Sequence, residues 1–190
     1  MMLVRAGRAV LLALIVVMGS AVTGASHALP GATLLLSQKG DKLELEIIVA
    51  VEDLIIAAPQ LTPLKDLPMG PIRSDMIASN VSTYFLTHLE LQQAGTALAF
   101  APTDSRLAPD ENEHVGAFTQ LVLTFSAPKM DAAPLFPMTL LYDAVMHEVR
   151  NHRATVFWDD QNDVLSRIAE FGFRRIDGAP QPISLKLPPS

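Results

Sequence analysis

The densest run of chemically capable side chains is Tyr142-Asp143-Ala144-Val145-Met146-His147-Glu148-Val149-Arg150-Asn151-His152-Arg153. Two imidazoles and two carboxylates in twelve residues suggest a transition-metal site, because imidazole suits nickel, copper and zinc and a carboxylate can add an oxygen. The geometry depends on how the chain runs. In one continuous strand, His147 and His152 are five apart and point to opposite faces. A reversal with the four-residue loop 148–151 places them directly opposite one another. A two-residue turn at Arg150-Asn151 makes them diagonal neighbours on one face. Directly opposed Cβ atoms lie about 4.5–5.5 Å apart, near enough for both rings to hold one ion, with Glu148 or Asp143 supplying an oxygen. The competing expectation is structural: Glu148 pairs with Arg153 and the histidines cap a hairpin.

Two weaker patterns point to cations. Asp159, Gln161, Asp163 and Glu170 echo calcium-loop spacing, but Val164 stands where such a loop needs glycine, so a polar hairpin tip is expected. His114, after Asp110-Glu111-Asn112-Glu113, falls in what reads as a solvated acidic loop over 104–114. Signatures of nucleophile elbows, phosphate loops, dinucleotide folds and zinc proteases are missing from the sequence, so no catalytic residue is assigned. The expectation is a non-enzymatic binding module. A small hydrolase is the less favoured alternative.

The elements that must position these residues read as mainly β. Leu43, Leu45, Ile47 and Val49 alternate with Glu44, Glu46 and Ile48, the period of a half-buried strand paired with Ala32–Ser37. Glu52–Ala58 reads as a short helical turn stopped by Pro59, and 60–71 as an irregular proline-rich connection. Ser74 predicts the N-cap of the one amphipathic helix, with Ile77, Val81, Tyr84, Phe85 and Leu89 on its apolar stripe and His88 in solvent. Short strands are expected at Leu98–Ala101, Ala117–Phe125, Met138–Met146, Arg153–Trp158, Val164–Phe173 and Ile183–Leu187, around a proline-rich loop at 126–137. The expected fold is an antiparallel β-sandwich with one helix packed against it.

Composition sets the context. Arg5 and Arg8, the apolar run Ala9–Met18 and the small-x-small site Ser26-His27-Ala28 have the order of a cleavable signal peptide. Residues 1–28 are therefore expected to be removed, leaving a single domain over 29–187 and a short tail at 188–190. The apolar run falls short of the roughly 20 residues a spanning helix needs, so no membrane span is expected in the mature chain. The sequence has 190 residues, no cysteine and a net charge of −6. Disulfides and thiolate sites are excluded, and the acidic balance argues against nucleic acid. These features together predict a periplasmic or secreted location.

Several segments taken together resemble a known family. They are the leader ending His27-Ala28-Leu29-Pro30, Leu43-Glu44-Leu45-Glu46-Ile47 leading to Glu52-Asp53-Leu54, and Tyr84-Phe85-Leu86-Thr87-His88-Leu89. Leu121-Val122-Leu123-Thr124-Phe125, Leu141-Tyr142-Asp143, His147-Glu148-Val149 and His152-Arg153-Ala154 complete the set. The chain resembles the N-terminal extracytoplasmic domain of HupE/UreJ-like proteins over nearly all of residues 29–190. That family's membrane part is associated with nickel or cobalt uptake, and its histidine–acid permease motif lies outside the likeness, so no transport residue carries over. The resemblance implies an accessory domain whose partner is an inner-membrane metal transporter or another periplasmic protein. It also implies His147 and His152 as a metal-facing pair for nickel or cobalt, beside the copper or zinc and the Glu148 oxygen that the residues themselves suggest. A stand-alone soluble metal-binding protein is the alternative.

Overall fold

A computed structural model describes residues 29–131, 133–160 and 164–187. The expected signal peptide at 1–28 and tail at 188–190 lie outside the described residues, as do Gln161, Asn162 and Asp163.

The alternating sequence 43–49 folds as anticipated. Strands β1 (Ala32–Lys39) and β2 (Lys42–Ala50) form an antiparallel hairpin closed by Gly40-Asp41, where Gly40 takes φ +64. Leu43, Leu45, Ile47 and Val49 are all buried. Helix α1 (Val51–Ala57) follows β2 directly, and a 3-10 helix (Pro59–Asp66) buries Leu61 and Leu64. After β3 (Gly70–Pro71), helix α2 runs Asp75–Thr87, with the Ser74 hydroxyl accepting from the Ile77 N–H at 3.5 Å. That is the N-cap expected from sequence. Val81, Tyr84 and Phe85 form its buried face.

The helix stops two residues earlier than its apolar stripe suggested. Leu89 belongs instead to β4 (Leu89–Gln93), so His88 is a hinge between helix and strand. Then come β5 (Thr96–Ala97), β6 (Ala101–Asn112), β7 (Gly116–Pro128), β8 (Met138–Tyr142), β9 (Arg153–Asp159), β10 (Leu165–Gly172), β11 (Arg175–Ile176), β12 (Ala179–Pro180) and β13 (Ile183–Leu185). Two expectations are corrected. Most of the acidic stretch 104–114 is strand, paired with β7 from Ala101 to Asn112. Leu98–Phe100, expected to be strand, has no regular structure. Prolines 102 and 109 and the acidic residues fit β6 because only Gly70 and Pro71 pair with its outer side; it is an edge strand, where missing donors and charge are tolerated.

The architecture is mainly β. A seven-stranded sheet has the order β10-β9-β1-β2-β7-β6-β3, and a four-stranded sheet the order β13-β8-β4-β5. All pairs are antiparallel except β1 with β9. Apolar side chains of both sheets and of the helices join one core, the sandwich-like packing foreseen from sequence. Each fully buried leucine or phenylalanine in it, such as Leu34, Leu123 or Phe85, contributes about 1.5–3 kcal/mol. Among the described residues, no helix is long and apolar enough to cross a membrane.

Candidate functional site

The β4–β8 ladder sets Leu89 opposite Tyr142 and Glu90 opposite Leu141. The same register, carried one step past the ladder's end, brings His88 opposite Asp143. The Asp143 N–H donates to the His88 carbonyl at 3.1 Å, and His88 Nδ1 lies 2.7 Å from Asp143 Oδ1. Arg175 on β11 donates to the other carboxylate oxygen at 2.8 Å. Burial pushes the Asp143 carboxyl up, but the hydrogen bonds from His88 and Arg175 outweigh it and hold it below its ordinary range. An ionised carboxylate accepts only, so His88 carries a proton on Nδ1, and Nε2 is the ring nitrogen that the carboxylate does not engage. That Nε2 has no hydrogen-bond partner among the described residues.

The His88 ring lines a cavity of about 470 Å³ with Tyr84, Gln60, Asn80, Thr83 and Thr87. His88 was expected in solvent, yet its side chain is only 20% exposed. The cavity wall therefore holds one oriented imidazole among amides and hydroxyls.

His147 stacks on His88, with ring centroids 4.3 Å apart and planes 7° from parallel. Its position follows from a strained turn. Val145, a β-branched residue, takes φ +65, and its N–H donates to the Tyr84 hydroxyl at 2.8 Å. The hydroxyl lies 3.2 Å from His147 Nε2. A proton on His147 Nδ1 satisfies both neighbours: Tyr84 then donates to Nε2, and Nδ1 lies 3.6 Å from Glu148 Oε1. Burial pushes the Tyr84 phenol up to about 12, so it stays a donor. Burial first, then the neighbouring His88, holds His147 below its ordinary range.

The stack constrains metal chemistry. An imidazole binds a metal in its own ring plane, through the lone pair. Parallel rings in van der Waals contact have planes no nearer than about 3.4 Å, so one ion cannot lie in both. Among the described residues, no group of three or more histidines, aspartates or glutamates is placed to hold a metal ion.

The structure does not bring His147 and His152 together. No hairpin joins them: residues 143–152 form consecutive turns that pass from β8 in one sheet to β9 in the other. β9 is flanked by β1 and β10, which leaves no place for β8 beside it. His152 is buried, accepts the Ala32 N–H on Nε2 at 3.1 Å and donates from Nδ1 to Asp53 on α1 at 3.0 Å. Both of its nitrogens are committed to joining β1, β9 and α1. Glu148 is exposed and faces His147 rather than Arg153, which pairs with Glu170. Glu170 also pairs with Arg167, so this carboxylate of the calcium pattern is held by two guanidinium groups. His114 is exposed beside Glu113.

Sequence reasoning singled out His147 and Asp143 but missed His88, Tyr84 and Arg175 as their partners. The only signal in the sequence was the alternating start of β4 directly after the helix. Chemically, an Asp-held imidazole with a free Nε2 can accept a proton or give one bond to a metal. The Tyr84 hydroxyl is committed to His147, and no serine or threonine hydroxyl bonds His88 among the described residues. No protein-family model and no curated protein matches the chain.

Proposed function

We propose that this chain is an exported, non-enzymatic binding domain that serves a transition-metal uptake system and takes a metal complex at His88. One observation carries the reading: Asp143, clamped by Arg175, fixes His88 through Nδ1 and leaves Nε2 without a hydrogen-bond partner among the described residues, on a side chain that lines a cavity. Carboxylate–imidazole pairs of this kind orient metal-binding histidines and raise their basicity. A single imidazole fills one coordination position, so the remaining ligands come with the metal or from a partner's face. Such a site favours transfer over storage, which is the work of an accessory domain and not of a stand-alone metal store.

The expected signal peptide and the HupE/UreJ-like resemblance support the rest of the proposal. The domain works in the periplasm, its cargo is nickel or cobalt before copper or zinc, and its partner is an inner-membrane transporter or another periplasmic protein. Hydrolase chemistry is the less favoured reading, since the dyad lacks an adjacent nucleophile.

The test uses the mature chain in a His114→Gln background, which removes the most exposed imidazole. Protein purified without chelator is expected to carry far less than one metal per chain. It should bind a nickel chelate with one open coordination position, and His88→Gln should abolish that binding. Near-stoichiometric metal on purification, or undiminished chelate binding by His88→Gln, overturns the proposal.

A further inference from the structure

We propose a second binding site, for a small oxyanion carrying about two to three negative charges, in the arginine-lined cleft where β9 begins and β10 ends. The cleft has a volume of about 410 Å³, within the range of small-molecule sites, and its walls include Arg150, Asn151, Arg153, Phe173, Arg174 and Gln181, with the Glu170 carboxylate beside them. Its charge runs against that of the chain, which is net acidic.

The cations here are not equivalent. Arg153 donates to Glu170 from Nη2 at 3.0 Å and from Nε at 3.2 Å, and Glu170 also takes Arg167 at 3.1 Å. One carboxylate thus serves two guanidinium groups. Arg150 and Arg174 have no carboxylate partner among the described residues. The Arg150 guanidinium lies over the Phe173 ring, 5.3 Å from its centroid, and Arg175 lies 5.8 Å from the same centroid while bound to Asp143. The ring supports Arg150 without neutralising it. A backbone bond from the Gln181 N–H to the Arg174 carbonyl, 3.1 Å, ties the chain around Arg174 to the cleft's other wall.

Two uncommitted guanidinium groups present planar forks of N–H donors, and Asn151 and Gln181 add amide donors. Forks of this kind match the paired oxygens of carboxylate and phosphate groups. Inorganic phosphate and citrate represent the ligand class. The oxyanion could also be the phosphomonoester of a lipid headgroup, and the two sources differ in one experiment.

Calorimetry of the mature chain with phosphate and with citrate, at fixed ionic strength, reads the free ligands. Cosedimentation with vesicles containing phosphatidic acid reads the headgroup. Arg150→Gln/Arg174→Gln is expected to lose at least tenfold in affinity for whichever source binds. Lys65→Gln/Arg73→Gln, an equal loss of charge outside the cleft, should keep it. Circular dichroism and melting confirm that both double variants fold. If neither source binds saturably, or both double variants weaken binding alike, there is no site in this cleft.

Discussion

His88 and His147 lie ring over ring, 4.3 Å between centroids, but each is held from a different side. Asp143 fixes His88, and Tyr84 fixes His147. The contact therefore joins the C-terminal end of α2 to the turns after β8, and it disfavours charge on both rings at once. Two imidazolium ions at that distance would repel in a half-buried setting.

A pH dependence follows. His147 is held below its ordinary value of 6.5, so the unfolded chain takes up its proton more readily than the folded one. Its contribution to stability is complete above that value and is lost as pH falls through the folded value. Asp143, held below 3.8, adds a second loss at lower pH with the same sign. The melting temperature should therefore fall between about pH 7.5 and about pH 5, and His147→Gln, which keeps an acceptor for Tyr84, should fall less. An equal or steeper fall in the variant contradicts the assignment.

Tyr84→Phe removes the hydroxyl that takes the Val145 N–H and serves His147. The orphaned N–H, in a turn already strained at Val145, should cost about 1–3 kcal/mol in urea unfolding. A neutral result would mean that Val145 is held by other contacts.

Tyr142→Phe should act in the opposite direction. The Tyr142 hydroxyl is buried and has no hydrogen-bond partner among the described residues, and the ring packs edge-on to Phe171. Removing an unsatisfied buried hydroxyl should stabilise the domain by about 1 kcal/mol or more. Destabilisation in the same unfolding assay would show that the hydroxyl has a partner.

His152→Ala separates structural from ligand roles for the imidazole that sequence had paired with His147. The variant orphans the Ala32 N–H, leaves Asp53 without its donor and opens a cavity, so a loss of about 3–5 kcal/mol is expected. A loss under about 1 kcal/mol would return His152 to the list of free side chains.

The sequence disclosed those elements whose signal is local. The alternation at 43–49 and the Ser74 cap each report on residues within one or two turns of chain. The site is different in kind. His88 meets Asp143 through the β4–β8 pairing, 55 residues away, and His152 meets Ala32 through the parallel β1–β9 pairing, 120 residues away. No local pattern sets those registers. The helical stripe also ran on through Leu89, which hid the switch to strand that turns His88 inward. His147 and Asp143 were found because they are chemically conspicuous, and their real partners were concealed by an assumed hairpin.

The most direct test is a proton–nitrogen NMR correlation of the imidazole rings during titration with the nickel chelate. Before addition, His88, His147 and His152 should all appear as the Nδ1–H tautomer. On addition, the His88 signal should broaden first and most, the stacked His147 ring less, and His152 should stay sharp. Broadening that begins at His147 or His152, or a His88 ring protonated on Nε2 at the outset, would contradict the account.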